Sequence, residues 1–232
     1  MSDAPEFEIV ASEPSPIGMI CLRRRQSASE PDGFVTEITL DHRFLMSSVV
    51  TDSERALAFH AFAMHEGQAL QVLVGGLGLG YTAREALRCE RVARVDVVEF
   101  LPPVIDWLMR GLVPLAGELQ ADTRFAVLPG DVYRLLASVP ERLHDVILID
   151  VDNSPDEQLG DANASFYTEE GLALAKRHLA EGGVLGVWSY ADSATFEKAL
   201  RRVFREVRVE PVQFENGVVG ETETNWLFFA RG

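Results

Sequence analysis

The chain has 232 residues, of which 47% are hydrophobic, and its formal net charge at pH 7 is −15. This length and hydrophobic fraction predict one large folded domain, or one domain with a small appendage. The negative charge argues against binding to nucleic acid or to an anionic membrane, because phosphates would be repelled. It would attract a cationic small substrate, although an acidic surface that only keeps the protein soluble is the simpler explanation.

The cysteine content and the hydropathy pattern bear on metal sites and on location. Cys21 and Cys89 are too few for a disulfide framework or a zinc site, and we predict no metal. No apolar run is long enough to span a bilayer, and the N-terminal residues are acidic and polar, unlike a signal peptide. A cytoplasmic protein is the simplest expectation.

The first quarter of the chain has short β-like runs. Residues 1–16 contain Pro, Ser and acidic residues with little periodicity, which predicts a loose terminus. Three short β-like runs follow within residues 17–52, and turn-forming residues separate the first two. We expect a small antiparallel unit here, either a hairpin or a three-stranded sheet. Apolar side chains then recur at helical spacing over residues 53–66, with Asp52 or Ser53 as the candidate N-cap.

From residue 71 onward, strand patterns alternate with helix patterns. Five β-like runs are each followed by a helical pattern: QVLVGG, RVDVVEF, RFAVLPGD, DVILIDVD and VLGVWSY. The alternation predicts an α/β domain over residues 53–232, with a parallel sheet covered by helices on both faces. One of these helices is expected over residues 166–179, ended by Gly182 and Gly183. The last two runs, VRVEPVQF and NWLFFARG, have no helix between them, so they should form a hairpin with one strand antiparallel to the rest.

A glycine cluster follows the first of these strands. Gly76, Gly78 and Gly80 form a GxGxG pattern between a predicted strand and a predicted helix, where bare backbone lets a ligand approach closely. Tight packing of strand against helix also needs glycine, so a purely structural role is the alternative. The pattern is neither the dinucleotide fingerprint GxGxxG nor a phosphate-binding P-loop.

Acidic residues end the next two predicted strands. Glu99 is placed to accept hydrogen bonds from ribose hydroxyls, and Asp131 to accept one from the exocyclic amine of adenine. Either acid alone is more often a solvated loop residue. Together with the glycines they predict a pocket for an adenosine without phosphates.

These motifs resemble those of the class I AdoMet-dependent methyltransferase superfamily and, within it, of the spermidine synthase family. The similar segments are VLVGGLGLGYTARE, VDVVEF, LPGDVYRLL, HDVILIDVDNSP, FYTEEGL and HLAEGGVLGVWS. The resemblance implies a Rossmann-like fold with a mostly parallel seven-stranded sheet, a C-terminal antiparallel hairpin and a small N-terminal β unit. It also implies that S-adenosyl-L-methionine, or its decarboxylated form, binds at six residues: Gly76, Gly78, Gly80, Glu99, Asp131 and Asp150. A homodimer is implied by the resemblance alone.

The positions around the transferred group depart from the spermidine synthase pattern. The family's glycine loop reads GGGDGG, and its Asp helps to hold the amine of the donor; Leu79 occupies that position here. The family's fourth strand ends in two acids three residues apart, which bind and deprotonate the attacking amine. Asp150 matches the first acid, Asn153 stands in place of the second, and Asp152 comes one residue early. One residue reverses the side of an extended strand, so Asp152 need not reach the same point unless the loop swings it in.

Two further residues are candidates for the acceptor site. His60 matches the His of a Tyr-His-Glu-like piece in the family, whereas Phe59 and Ala61 replace its polar neighbours. Packing of His60 against the sheet is an equally good explanation. Tyr167 stands where the family has an aromatic residue, and packing is slightly favoured over lining the acceptor site.

Three functions follow from this mixed pattern. We favour an AdoMet-dependent methyltransferase on an unknown small molecule, with Asp150 orienting or deprotonating the acceptor and Asp152 as the second candidate. The alternative is an aminopropyltransferase that uses decarboxylated AdoMet in polyamine synthesis. The third is a non-catalytic nucleoside-binding or interaction protein, because the altered positions are all losses of polar groups.

Overall fold

A computed structural model describes residues 7–27, 33–159, 161–216 and 221–232. The N-terminal part is a four-stranded antiparallel sheet, in the order β1-β2-β3-β4. Its strands are β1 (Glu8–Ser15), β2 (Gly18–Gln26), β3 (Phe34–Leu40) and β4 (Arg43–Ser47). The expectation of a hairpin or three strands therefore falls one strand short.

Strand β1 corrects the expectation of a loose terminus over residues 1–16 for Glu8–Ser15, and residues 1–6 of that prediction lie outside the described part of the chain. It pairs with β2 along its length, from Glu8 opposite Arg24 to Ser15 opposite Gly18. The acidic side chains that suggested a solvated tail have partners in the fold: the indole of Trp107 donates a 2.9 Å hydrogen bond to Glu13. Backbone pairing and this contact hold a segment that has little hydrophobic periodicity.

The second sheet has seven strands in the order β10-β11-β9-β8-β5-β6-β7. They are β5 (Leu70–Gly75), β6 (Val92–Glu99), β7 (Phe125–Pro129), β8 (His144–Ile149), β9 (Leu179–Ser189), β10 (Glu206–Asn216) and β11 (Glu221–Arg231). Strand β11 is antiparallel to both of its neighbours, and the other strands share one direction. The predicted fold class and the C-terminal hairpin are confirmed. The boundary between the two units, expected at residue 52, stays a prediction.

Helices connect the strands of the second sheet. They are α1 (Asp52–Ala63), α2 (Tyr81–Arg88), α3 (Pro102–Met109), α4 (Ala116–Ala121), α5 (Val132–Ala137), a 3₁₀ helix (Asp161–Tyr167), α6 (Glu169–Lys176) and α7 (Ala194–Val203). The helix expected over residues 166–179 is shorter, because Thr168 caps α6 by accepting a 3.1 Å hydrogen bond from the Gly171 amide. Gly182 and Gly183 lie within β9 rather than at a helix end. None of the helices in the described segments has the length and hydropathy of a membrane span.

The two faces of the seven-stranded sheet bury separate hydrophobic clusters. Leu148 of β8 belongs to the cluster that includes Leu57 of α1. Ile149, its neighbour on the strand, belongs to the cluster that includes Leu172 of α6. Side chains alternate along a strand, so even-numbered residues of β8 face α1 and odd-numbered ones face α6. By the same alternation, the side chain of Asp150, which follows β8, points to the face that α1 covers.

The carboxyl end of α1 is tied to the sheet by two arginines. The guanidinium of Arg91 donates hydrogen bonds to the carbonyl oxygens of Phe62 at 2.8 Å and of Gly67 at 3.1 Å. Arg231, the last residue of β11, donates to the carbonyl oxygen of Met64 at 2.7 Å. These donors satisfy carbonyl groups that have no partner within the helix. The helix is thereby fixed to strands on both sides of the sheet centre.

Candidate active site

The glycine loop joins β5 to α2 at the carboxyl edge of the sheet. Gly76, Gly78 and Gly80 all have positive φ, at 90°, 50° and 92°. Gly76 is the most constrained, because a β-carbon there would collide with the backbone carbonyl oxygen of Asp150. A β-carbon on Gly78 would lie 2.6 Å from the sulfur of Met46 in β4. The loop thus needs glycine for close approach to both sheets, and nucleoside binding by these residues stays a prediction.

Glu99, at the end of β6, is buried beneath this loop. One of its carboxylate oxygens accepts a 2.7 Å hydrogen bond from the Leu77 amide, and the other accepts one of the same length from the Leu101 amide. Burial raises the pKa of Glu99, and these backbone donors partly offset the rise. Glu99 therefore orders the glycine loop. The ribose contact of Glu99 stays a prediction.

Asp131 is the N-cap of α5. Its side chain accepts hydrogen bonds from the amides of Tyr133 at 2.9 Å and Arg134 at 3.2 Å. The same carboxylate lies 3.5 Å from the Arg134 guanidinium. Capping explains this aspartate without a ligand, and its expected contact with adenine stays a prediction.

Asp150 follows β8 directly and faces the same side of the sheet as α1. Its carboxylate accepts a 2.6 Å hydrogen bond from the hydroxyl of Thr82, on the first turn of α2. Its amide donates a 3.0 Å hydrogen bond to the carbonyl of Gly75, which fixes it beside the glycine loop. Burial raises the pKa of Asp150, and the Thr82 hydroxyl partly offsets the rise. The residue remains partly exposed, as a group that meets a substrate must be.

Asp152 does not join Asp150. It is buried, and one carboxylate oxygen accepts hydrogen bonds from the hydroxyls of Tyr133 at 2.7 Å and Tyr167 at 3.0 Å. The other oxygen accepts from the Leu159 amide and the Asn163 side chain, both at 2.8 Å. The extended strand ends before Asp152, so the side chain turns towards α5 and the 3₁₀ helix instead of following Asp150. Four donors occupy the carboxylate, which gives Asp152 a role in packing the loop.

Tyr167 is part of this same packed group. It is buried, and its ring contacts Phe166 and Phe196 with centroids 5.0 and 5.2 Å away. Burial and the negative charge of Asp152 raise the pKa of Tyr167, so the hydroxyl stays a donor at neutral pH. Packing, the slightly favoured interpretation, matches this environment.

Asn153 lies in the loop after β8, whereas His60 packs against β11 away from this edge. Asn153 is partly exposed, and its backbone carbonyl accepts a 2.9 Å hydrogen bond from the Tyr190 amide just beyond β9. His60, in the last turn of α1, has its ring 5.5 Å from that of Phe59 and 6.0 Å from that of Phe229. Leu79, the position where the spermidine synthase pattern has an acid, is 2% exposed and part of the core. Acceptor binding by His60 and Asn153 stays a prediction.

One acid that the sequence patterns did not single out stands near Asp150. Glu54, on the first turn of α1, is partly exposed and accepts a 2.9 Å hydrogen bond from the Ser53 hydroxyl. Burial and the charge of Asp150 together raise the pKa of Glu54 from its usual value of 4.5 to about 8. Acids are common in the first turn of a helix, so the sequence offered no reason to place Glu54 at the sheet edge. Within the described residues, no group of His, Cys, Asp and Glu side chains is arranged to hold a metal ion.

Comparison with known proteins identifies relatives over most of this chain. Residues 52–211 match the spermine/spermidine synthase domain family. The chain is 34% identical to polyamine aminopropyltransferase 2 of Streptomyces coelicolor, over 68% of this chain and 28% of that protein. It is 29% identical to the polyamine aminopropyltransferase of Prochlorococcus marinus, over 69% of this chain and 51% of that protein. The match therefore spans between about a quarter and a half of these curated relatives.

Solved structures share the fold. A spermidine synthase in complex with the transition-state analogue AdoDATO superposes with a TM-score of 0.75 and 23% identity, covering 96% of this chain and 73% of that one. The spermidine synthase of Thermotoga maritima gives a TM-score of 0.72, covering 96% and 72%. The preference for methyl transfer finds no support in these comparisons, because the matched family and these relatives are all named for aminopropyl transfer or polyamine synthesis. On the match over residues 52–211, the chain belongs to the spermine/spermidine synthase family.

Proposed function

We propose that this protein transfers an aminopropyl group from decarboxylated AdoMet to the nitrogen of a small amine. The observation that carries the proposal is the position of Asp150. It lies one residue beyond β8, its amide is bonded to the last residue of β5, and its carboxylate accepts a hydrogen bond from the first turn of α2. A nucleophile held by Asp150 would stand beside the loop that the nucleoside is expected to contact. The carboxyl edge of a parallel sheet is where such folds bind their ligands.

The charges at this edge suit the decarboxylated donor better than AdoMet itself. Glu54, Glu99, Asp131 and Asp150 are all acids. The carboxylate of AdoMet would be repelled by this set. Decarboxylated AdoMet carries only positive groups, a sulfonium and an ammonium, which the same set attracts. The net charge of −15 favours a cationic donor and a cationic acceptor in the same way.

The reaction requires a neutral amine nitrogen. An alkylammonium gives one proton to a carboxylate of the site, and the freed lone pair attacks the propyl carbon that is bonded to sulfur. The carbon–sulfur bond breaks with its electrons passing to sulfur, which becomes a neutral thioether, and the product is a secondary ammonium. The sulfonium is already an activated leaving group, so the site contributes mainly alignment and proton removal. The raised pKa of Asp150 makes it a better proton acceptor than an ordinary aspartate.

The test compares donors and acceptors directly. Purified protein is incubated with decarboxylated AdoMet or AdoMet and a set of mono- and diamines, and products are identified by mass spectrometry. We expect methylthioadenosine and an aminopropylated amine, and we expect Asp150→Asn to reduce the rate by roughly 10² to 10⁴-fold. Asp192→Asn, the same change at an exposed loop residue, should leave the rate unchanged. Transfer of methyl alone, or failure of the protein to bind any adenosyl compound at millimolar concentration, would overturn the proposal.

A further inference from the structure

Of the two acids predicted to bind the acceptor, Asp150 alone lies beside the glycine loop. Asp150 faces the glycine loop, whereas Asp152 is occupied by four donors on the other side of the sheet. Asn153 brings an amide, which can neither ionise nor take a proton from an ammonium. A second carboxylate for the acceptor must therefore come from another element that lies next to Asp150.

Strand register places the start of α1 beside Asp150. Ile149 of β8 pairs with Val187 of β9, so Asp150 is level with Trp188 on the neighbouring strand. The indole of Trp188 donates a 2.9 Å hydrogen bond to the hydroxyl of Ser53. Paired strands lie about 4.8 Å apart, and the first turn of α1 is bonded to a side chain of the strand that adjoins Asp150. Asp150 and α1 also share one face of the sheet, by the alternation along β8.

The hydroxyl of Ser53 turns towards Glu54. A serine hydroxyl has two acceptor lone pairs and one hydrogen to donate. Its oxygen accepts from the Trp188 indole and, at 2.8 Å, from the side chain of Asn225 on β11. The one hydrogen is therefore left for Glu54, whose carboxylate accepts it at 2.9 Å. Ser53 is fully buried, so its three hydrogen bonds fix the position of the Glu54 carboxylate oxygen that it contacts.

The charged groups that affect the ionisation of Glu54 are acidic, as expected of a site that binds a cation. Two acids repel its negative form, Asp150 just after β8 and Asp52 on its own helix, whereas hydrogen bonds from Ser53 and the backbone favour that form. No arginine, lysine or histidine is among the described groups that affect its ionisation. Two neighbouring carboxylates with no cation between them hold one proton more readily than two separate ones. An ammonium that enters the pair replaces that proton.

We propose that Glu54 is the second carboxylate of the acceptor site, binding the amine nitrogen together with Asp150 and supplying the place to which its proton moves. This assignment rests on the proposed function. Glu54 thus takes the role that Asn153 cannot fill, from a different element of the fold. In the reaction, the ammonium transfers one proton to the ionised Glu54–Asp150 pair, the neutral nitrogen attacks, and the pair ends with that proton shared between its two carboxylates.

The test measures acceptor binding and proton release, separately from turnover. Isothermal titration calorimetry with 1,4-diaminobutane, on protein saturated with methylthioadenosine at pH 7, is run in two buffers of different ionisation enthalpy. We expect the wild type to bind the diamine and to release up to one proton. We expect Glu54→Gln to weaken binding at least tenfold and to release fewer protons, with methylthioadenosine binding unchanged. Glu66→Gln, the same change at an exposed residue beyond the end of α1, should behave as the wild type.

The outcomes separate this assignment from the proposed function. If Glu54→Gln binds the diamine as tightly as the wild type and releases as many protons, the role of Glu54 is overturned, while aminopropyl transfer still stands on the product assay. If the wild type binds no diamine and releases no proton, the role of Glu54 is likewise overturned. If the diamine binds in a Glu54-dependent way but only methyl is transferred, the proposed function fails and the carboxylate pair remains. Glu54→Ala is the second variant should Glu54→Gln fold poorly.

Discussion

The wild-type protein is expected to become less stable as pH rises, because Glu54 ionises. The variant Glu54→Gln is expected not to show this decrease. The pKa of Glu54 is raised from 4.5 to about 8 in the folded protein. Between these pH values the folded state keeps a proton that the unfolded chain has lost, so the free energy of unfolding falls with increasing pH. The loss is absent below pH 4.5 and complete above about pH 8. Glutamine has no proton to lose and shows no such fall.

The size of this effect follows from the pKa. A rise from 4.5 to about 8 corresponds to an upper limit of about 5 kcal/mol. Glu54 keeps some exposure and shares its proton with Asp150, so solvent screening and coupling reduce the expected change to about 2 to 3 kcal/mol.

Urea denaturation followed by circular dichroism measures this difference at several pH values between 5 and 8.5. Glu54→Gln and the wild type should have nearly equal stability near pH 5, and the variant should become the more stable as pH rises. His144 and His178, whose pKa values are lowered by burial, are present in both proteins and cancel in the difference. Glu66→Gln, at an exposed residue beyond the end of α1, controls for the change in net charge. Curves for the wild type and Glu54→Gln that stay parallel within about 0.5 kcal/mol would refute the reasoning.

Three other substitutions test separate parts of the structure. Gly76→Ala should abolish methylthioadenosine binding in calorimetry, because its β-carbon meets the Asp150 carbonyl and its φ of 90° is strained for alanine; retained binding would contradict the geometry of the loop. Asp152→Ala removes the acceptor of four hydrogen bonds; the two tyrosine hydroxyls, 3.0 Å apart, can then pair with each other, but one hydroxyl hydrogen and two other donors lose their partner, so urea titration should show a loss of about 1 to 3 kcal/mol. An unchanged midpoint would remove Asp152 from the packed loop. Ser53→Ala should cost about 1 to 3 kcal/mol and also weaken diamine binding; loss of stability with full binding would show that Ser53 does not position Glu54.

The architecture was accessible from the sequence because its signals are local and repeated. Alternating strand and helix patterns give the parallel sheet, and the absence of a helix between β10 and β11 gives the one antiparallel strand. Strand β1 was missed because its stability comes from pairing with β2 and from distant contacts such as Trp107 with Glu13. Helix α4 was missed because Leu119 is its one large apolar residue, so its sequence shows no periodic apolar pattern.

The site was less accessible, because it depends on which way side chains turn after a strand ends. The pattern of acids identified Asp150 at the edge but could not show that Asp152 is held by Tyr133 and Tyr167. Glu54 was missed for a related reason. Its place beside Asp150 follows from the register of β8 with β9 and from a serine that bonds to two strands, which are facts of tertiary structure.

Both ends of α1 are tied to the sheet, by Arg91 and Arg231 at one end and by Ser53 at the other. These contacts hold the first turn of α1, and Glu54 with it, next to the strand beside Asp150. The two carboxylates are therefore preorganised, and their mutual repulsion is set when the chain folds rather than when a substrate arrives. An incoming ammonium relieves an existing electrostatic strain without any reorganisation of the scaffold. The empty protein gives up some stability to be ready for a cation, which is the usual exchange between stability and activity at a functional site.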